Sequence, residues 1–222
     1  MDPAPHEANG SSAPGGDSPA GSSHYFDDDP SVASRRQSIR LTLPDLSLRL
    51  TTDRGTFSPD RIDTGTKLLL LEGPPPPVTG HLLDLGCGYG AIAATLAARS
   101  PCATVWAVDV NERARQLCSE NTAAFGNVTV VAPEEVPDDV WFDAIWSNPP
   151  IRIGKPALHA LLATWLARLV PSGAAELVVQ RHLGADSLSG WLEAQGYNVR
   201  RLASRQSFRV MEVTPRAPRW PA

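Results

Sequence analysis

The chain has 222 residues, 42% of them hydrophobic, with 24 acidic and 20 basic side chains giving a net charge of −4. That length suits one domain with appendages, and no apolar run is long enough to span a membrane. The three cysteines (Cys87, Cys102 and Cys118) form no C-x-x-C pair. Reduced thiols in a cytoplasmic protein are therefore expected, rather than disulfides or a metal site.

Residues 1–23, "MDPAPHEANGSSAPGGDSPAGSS", offer almost nothing that could build a core and read as a disordered tail. They lack both the basic start and the apolar stretch of a secretory signal. Residues 24–77 form a small N-terminal unit. Within it, "SIRLTLPDLSLRLTT" alternates apolar and polar residues on either side of Pro44-Asp45, which predicts two short strands around a turn. A loop containing Phe57 follows, and an apolar run beginning at Lys67 predicts a short helix stopped by Gly73. "PPPP" at 74–77 is a stiff connector.

From 78 to 214 the pattern alternates. "HLLDL", "TVWAVDV", "NVTVV", "FDAIWS" and "AAELVVQ" read as strands, the last following a turn at Pro171-Ser172-Gly173. "AIAATLAAR", "NERARQLCSENTAAF" (capped by Asn111), "ALHALLATWLARLV" and "DSLSGWLEAQG" read as helices. "NVRRLAS" and "SFRVMEV" close as a hairpin around Arg205-Gln206, before a short tail at 215–222. The predicted class is α/β: a Rossmann-like, open, mostly parallel sheet with helices on both faces and a C-terminal antiparallel hairpin, preceded by the small N-terminal β-hairpin. Trp106, Trp165 and Trp191 fall on apolar faces and are expected in the core. His182, just beyond "AAELVVQ", is expected to be a structural histidine.

Charge is distributed unevenly. Residues 1–30 carry six acids and no Lys or Arg, leaving +2 for the remainder. Between 199 and 222, Arg200, Arg201, Arg205, Arg209, Arg216 and Arg219 stand against Glu212 alone. A solvated face and a nucleic-acid contact explain this equally well.

"LLDLGCGYGAIAATLA" places Gly86, Gly88 and Gly90 between a strand and a helix. Glycines there let a ligand approach the backbone, and the helix start offers free N–H groups. Two cofactors compete. With Ala91 the run also fits G-x-G-x-x-A, and Asp109 lies 23 residues after Gly86, near the spacing of a dinucleotide ribose contact. Asp84, two residues before the first glycine, would repel a pyrophosphate but welcome an amine and a sulfonium. Asp109 can accept from two ribose hydroxyls. Together the two acids favour S-adenosyl-L-methionine over a nicotinamide.

The stretch "SNPP" ends what would be the neighbouring strand, so Asn148 should emerge beside the cofactor. An exocyclic amine is a poor nucleophile because its lone pair is delocalised. The Asn148 side-chain oxygen and the Pro149 carbonyl can each accept one of its N–H groups, turning the lone pair toward a methyl group. Pro149 and Pro150 hold those acceptors rigidly.

"DLGCGYG", "AVDVN" and "SNPP", in this order and spacing, resemble class I S-adenosylmethionine-dependent methyltransferases that modify planar amines. More narrowly, "HYF…P" at 24–30, "FSPDRIDTGTKLLL" at 57–70 and "SNPPIRIGK" resemble the small methyltransferase domain of bacterial ribosomal RNA guanine-N2 methyltransferases. The resemblance covers about residues 24–213. It implies a guanine-N2 methyltransferase of ribosomal RNA, with Asp84, Gly86, Gly88 and Asp109 at the cofactor and Asn148, Pro149 and Pro150 at the target amine. It also implies that Phe57 and the segment through Thr66 line the site. In relatives the residue after the second proline is commonly an aromatic that stacks on the target ring, whereas here it is Ile151. Phe57 or Tyr25 can supply a ring instead, or serve the core. Two other functions fit parts of the pattern: a protein glutamine methyltransferase, and a non-catalytic cofactor-binding assembly factor. The first usually has Tyr at position 151, and the second need not keep Asp84, Asp109 and Asn148 together.

Overall fold

The computed structural model describes residues 1, 35–53 and 61–216. The disordered-tail expectation for 1–23, and the expectations for Tyr25, Phe57 and nearly all of the 215–222 tail, lie outside those residues.

Seven strands form one sheet: β3 (His81–Leu85), β4 (Thr104–Val108), β5 (Val128–Val131), β6 (Phe142–Ser147), β7 (Leu169–Gln180), β8 (Tyr197–Arg205) and β9 (Phe208–Pro215). Their order is β5-β4-β3-β6-β7-β9-β8. The first five in that order pair in parallel, and β9 and β8 join antiparallel. The short run "HLLDL" is buried at four of its five positions, as a central parallel strand covered on both faces should be.

One apolar cluster lies on the face covered by α1 (Thr64–Glu72), α2 (Ala91–Arg99) and α3 (Glu112–Thr122). The other face packs α4 (Lys155–Leu166) and α5 (Ala185–Ala194). The N-terminal hairpin, β1 (Gln37–Thr42) and β2 (Ser47–Thr52), turns at Pro44-Asp45 as predicted. Its inward residues Leu41 and Leu50 belong to the same cluster as Leu69, Leu82 and Leu96. The N-terminal unit therefore shares a core with the α/β unit.

Three local expectations need correction. Helix α1 begins at Thr64, not Lys67, because Asp63 caps it by accepting the Thr66 N–H at 2.9 Å. Pro171-Ser172-Gly173 is not a turn before a strand. It sits inside β7, whose register against β6 jumps between Phe142↔Leu169 and Ala144↔Ala174, so the three residues are absorbed as a bulge. The closing hairpin turns at Gln206 and Ser207, with φ of 50° and 67°, one residue beyond the expected position. Arg205 and Phe208 face each other across it.

Of the tryptophans expected in the core, Trp165 is buried, while Trp106 and Trp191 are only half-buried. Trp106 Nε1 donates to His81 Nδ1, and Trp191 stacks on His159 at 4.0 Å. Trp146, at the end of β6, is fully buried. His182 is exposed in a short turn after β7, so the structural role expected for it is not realised.

Candidate active site at the switch point of the sheet

The chain leaves β3 for β4 and β5 on one side and returns to β6 on the other. The carboxyl ends of β3 and β6 thus flank the point where strand order reverses, the place where open α/β sheets bind ligands. The Ser147 hydroxyl, which sequence reasoning overlooked, donates to the Leu85 carbonyl at 2.7 Å and ties these two strand ends together.

The glycine loop begins immediately after Leu85. Gly86, Gly88 and Gly90 all have positive φ (75°, 54° and 87°), the region that favours glycine. Their roles differ. A Cβ on Gly86 or Gly88 would meet nothing within 4 Å, so both border open space. A Cβ on Gly90 would lie 2.7 Å from Cys118 Sγ on α3. Gly90, expected among the cofactor residues, instead lets α2 pack closely on α3.

Asp109 follows β4 and closes the loop from the other side. Its Oδ2 accepts the Gly88 N–H and its Oδ1 the Asn111 N–H, each at 2.9 Å. A carboxylate offers about four lone-pair sites, so two remain for a diol. Burial raises its pKa, opposed by these two N–H groups and by Arg115. Asn111 caps α3 as predicted, accepting the Ala114 N–H at 2.8 Å.

Asp84 lies deeper than the sequence suggested, with no exposed surface. Oδ2 accepts the Ala93 N–H at 2.9 Å in the first turn of α2, whereas Oδ1 is buried without a partner. Burial pushes this carboxyl up to about 8, and the Asp109 charge adds to the shift. Desolvation holds such a group in its neutral form, and a cation beside it would favour ionisation.

Across the switch point, the Asn148 amide nitrogen donates to Asp63 Oδ1 at 2.8 Å and to Thr66 Oγ1 at 3.0 Å. Thr66, expected to line the site, is 7% exposed and acts through Asn148. Asp63 was not anticipated. Its signal was available in "DTGT", an acid three residues before Thr66 at a helix start. Pro149 is buried, and its carbonyl accepts the Ile151 N–H at 2.8 Å. That bond closes an inverse γ-turn centred on Pro150 (φ −73°, ψ 77°), a conformation the ring already favours. The expected Pro149 acceptor is thus half used, with one lone pair left.

Ile151 is half-buried and packs toward the α4–α5 cluster. An aromatic ring not connected to the site from sequence, Phe208, lies where a Cβ on Gly65 would approach it to 2.8 Å, beside Thr66. Tyr89, from the glycine loop, is 5% exposed. Burial raises its pKa, with the Asp63 carboxylate adding and the Asp63 backbone N–H opposing. Asp63, which supports Asn148, therefore lies near enough to the glycine loop to influence Tyr89.

These features fit S-adenosylmethionine. Gly86 and Gly88 form a cradle that a Cβ would obstruct, Asp109 retains acceptors for ribose hydroxyls, and the orphaned Asp84 Oδ1 suits a cationic ligand. No phosphate-neutralising side chain replaces either acid. Among the described residues, no group of three His, Cys, Asp or Glu side chains could hold a metal, and no helix is long and apolar enough to cross a membrane.

Residues 47–212 match the family model of the methyltransferase small domain. The chain belongs to that family. Its cofactor is S-adenosyl-L-methionine. This methyltransferase small domain is 37% identical over 177 residues to the uncharacterized protein YbxB of Bacillus subtilis, covering 78% of this chain and 88% of that one. It is 33% identical over 150 residues to the ribosomal RNA small subunit methyltransferase C of Shewanella oneidensis. That match covers 65% of this chain but only 43% of the longer relative. The fold matches the T. thermophilus 16S rRNA N2 methyltransferase (RsmC), solved in complex with AdoMet and guanosine, with a TM-score of 0.71 at 23% identity. That superposition covers 86% of this chain and 53% of the other.

Proposed function

We propose that this methyltransferase acts on the exocyclic N2 amine of a guanine in ribosomal RNA. The observation that carries the reading is the lock on Asn148. Asp63 and Thr66 take both amide hydrogens, so Oδ1 is the end left for a substrate. An acceptor at that position selects a target that donates, as an amine does and a carbonyl oxygen does not. The remaining Pro149 lone pair accepts the second N–H. Bonded to both, the amine is turned so that its lone pair faces the cofactor.

S-adenosylmethionine supplies an electrophilic methyl on a sulfonium; transfer makes an N–C bond, breaks a C–S bond and frees one amine proton. Neither amide oxygen is basic enough to keep that proton, which passes to water. The contribution of Asn148, Pro149 and Pro150 is therefore positioning. Gly86, Gly88 and Asp109 would hold the cofactor, whose positive charge would draw the buried Asp84 carboxyl toward its ionised form. Ile151, with Phe208 beside Thr66, offers an apolar border for a planar base. The names of the Shewanella and T. thermophilus proteins support ribosomal RNA as the substrate class. Three free thiols support a cytoplasmic location.

The test is transfer of label from methyl-tritiated S-adenosylmethionine to ribosomal RNA from cells lacking the protein. Nucleoside analysis should yield N2-methylguanosine. Label recovered in protein, or in another nucleoside, would overturn the assignment.

A further inference from the structure

Between β1 and β2 the register sets Arg40 directly opposite Arg49, with Ser38 opposite Thr51 and Thr42 opposite Ser47 on either side. Leu41, Leu50 and their neighbours turn inward, so this alternate set forms the outer face of the hairpin. Both arginines are exposed. Like charges directly opposed across two strands are destabilising, and a partner that neutralises them would remove that penalty.

Among the described residues, no carboxylate pairs with either arginine. The carboxylates around the hairpin are each engaged by a different arginine: Asp45 by Arg99 at 2.8 Å, Asp53 by Arg113 at 2.6 Å and Glu120 by Arg36 at 2.9 Å. Every other position on the outer face is a serine or threonine. Arginine forks flanked by hydroxyl donors are the chemistry that contacts phosphate oxygens and positions a nucleic acid without reading its bases.

The hairpin also communicates with the active site. Asn121 on α3 accepts the Thr51 N–H at 2.7 Å, and its amide donates to the carbonyls of Thr51 at 2.8 Å and Tyr89 at 2.7 Å. One side chain thereby fixes the end of β2 to the glycine loop. A strand of RNA held on the hairpin face would be held at a set position relative to that loop.

We infer that the outer face of the N-terminal hairpin, centred on Arg40 and Arg49, docks the sugar–phosphate backbone of the RNA substrate. The inference rests on the RNA reading above. It adds a phosphate-docking surface on a different element from the methyl-transfer site.

The test uses the full chain and an unmodified small-subunit ribosomal RNA transcript, with affinity measured across a salt series. Replacing both residues (Arg40→Gln with Arg49→Gln) should weaken RNA binding about tenfold at moderate salt and flatten the salt slope by about 1–2. The KM for RNA should rise, and S-adenosylmethionine affinity should hold. Arg40→Glu alone separates function from folding, because a carboxylate would then face Arg49. It should raise the melting temperature by about 1–3 °C while weakening RNA binding. A merely structural pair would not trade stability against affinity in this way. RNA affinity and salt slope equal to wild type in both variants would overturn the inference. If wild type methylates RNA and the variants bind it undiminished, only the hairpin proposal fails. If wild type neither binds nor methylates RNA, the substrate reading fails and takes this proposal with it.

Discussion

A carboxylate only accepts, so Asp63 Oδ1, which takes the Thr66 N–H at 2.9 Å and the Asn148 amide at 2.8 Å, fixes which end of that amide is left to accept. One oxygen caps a helix and orients the acceptor. Two substitutions separate these duties. Thr66→Val keeps the shape and the backbone N–H bond to Asp63 but deletes the second acceptor for Asn148. Losing one such hydrogen bond costs about 1 kcal/mol, and single-turnover methyl transfer should slow about fivefold. Asp63→Ser keeps a capping oxygen too short to reach Asn148, and its loss of rate should be larger. Melting temperatures measured beside the rates should stay within a few degrees of wild type. A Thr66→Val enzyme with an unchanged rate would show that Asn148 needs no lock.

At the scale of elements, the glycine loop combines two requirements that look alike in sequence. Gly88→Ala adds a Cβ into open space at φ 54°, whereas Gly90→Ala adds one 2.7 Å from Cys118 Sγ at φ 87°. Each bears a left-handed cost of about 1–2 kcal/mol. Only Gly90→Ala adds a clash inside the core, so it should melt lower by several degrees more than Gly88→Ala. Calorimetric titration should give the reverse order for S-adenosylmethionine, with Gly88→Ala the weaker binder per folded molecule. Equal effects on both measurements would mean that the two glycines share one role. Sequence alone could not separate them, because what distinguishes Gly90 is α3, brought up by tertiary packing. The strands were legible wherever burial imposed a pattern, as in "HLLDL" and "FDAIWS". The start of α1 was missed because Asp63 and Thr64 precede the apolar run at Lys67, and the cap rather than the periodicity decides it. The Pro171-Ser172-Gly173 bulge was read as a turn because pairing with β6 on both sides is long-range information. Within the candidate site, Asp84, Gly86, Asp109 and Asn148 are proposed from residue chemistry and spacing, and strand order brings them to the carboxyl ends of β3, β4 and β6. Asp63 and Ser147 escaped because each acts on a residue more than 60 positions away.

At the scale of the whole molecule, two carboxyls among the described residues are buried without full partnership. Burial pushes Glu176 up to about 8, with Glu212 opposite it in the register adding to the shift. Its Oε2 is buried and unpaired. Asp84 is pushed to about 8 as well. Between about pH 4 and 8 the unfolded chain has lost these protons while the folded chain retains them, so stability falls as pH rises through that window and levels off above it. Glu176→Gln cannot ionise. Its melting temperature relative to wild type should therefore be higher at pH 9 than at pH 5, and melting curves that shift in parallel would contradict the buried neutral acid.

The central claim joins all three scales: sheet topology brings the end of β6 to the glycine loop, α1 locks the amide, and Asn148 aims the amine. Single-turnover methyl transfer by Asn148→Ala, recorded beside its melting curve and its S-adenosylmethionine affinity, tests that claim most directly. The account predicts a rate lower by about 10²–10³, the scale of losing one preorganised polar contact to a transition state, with cofactor affinity near wild type and only a modest loss of stability. A protein that melts much lower yet transfers methyl groups at an undiminished rate per folded molecule would contradict it.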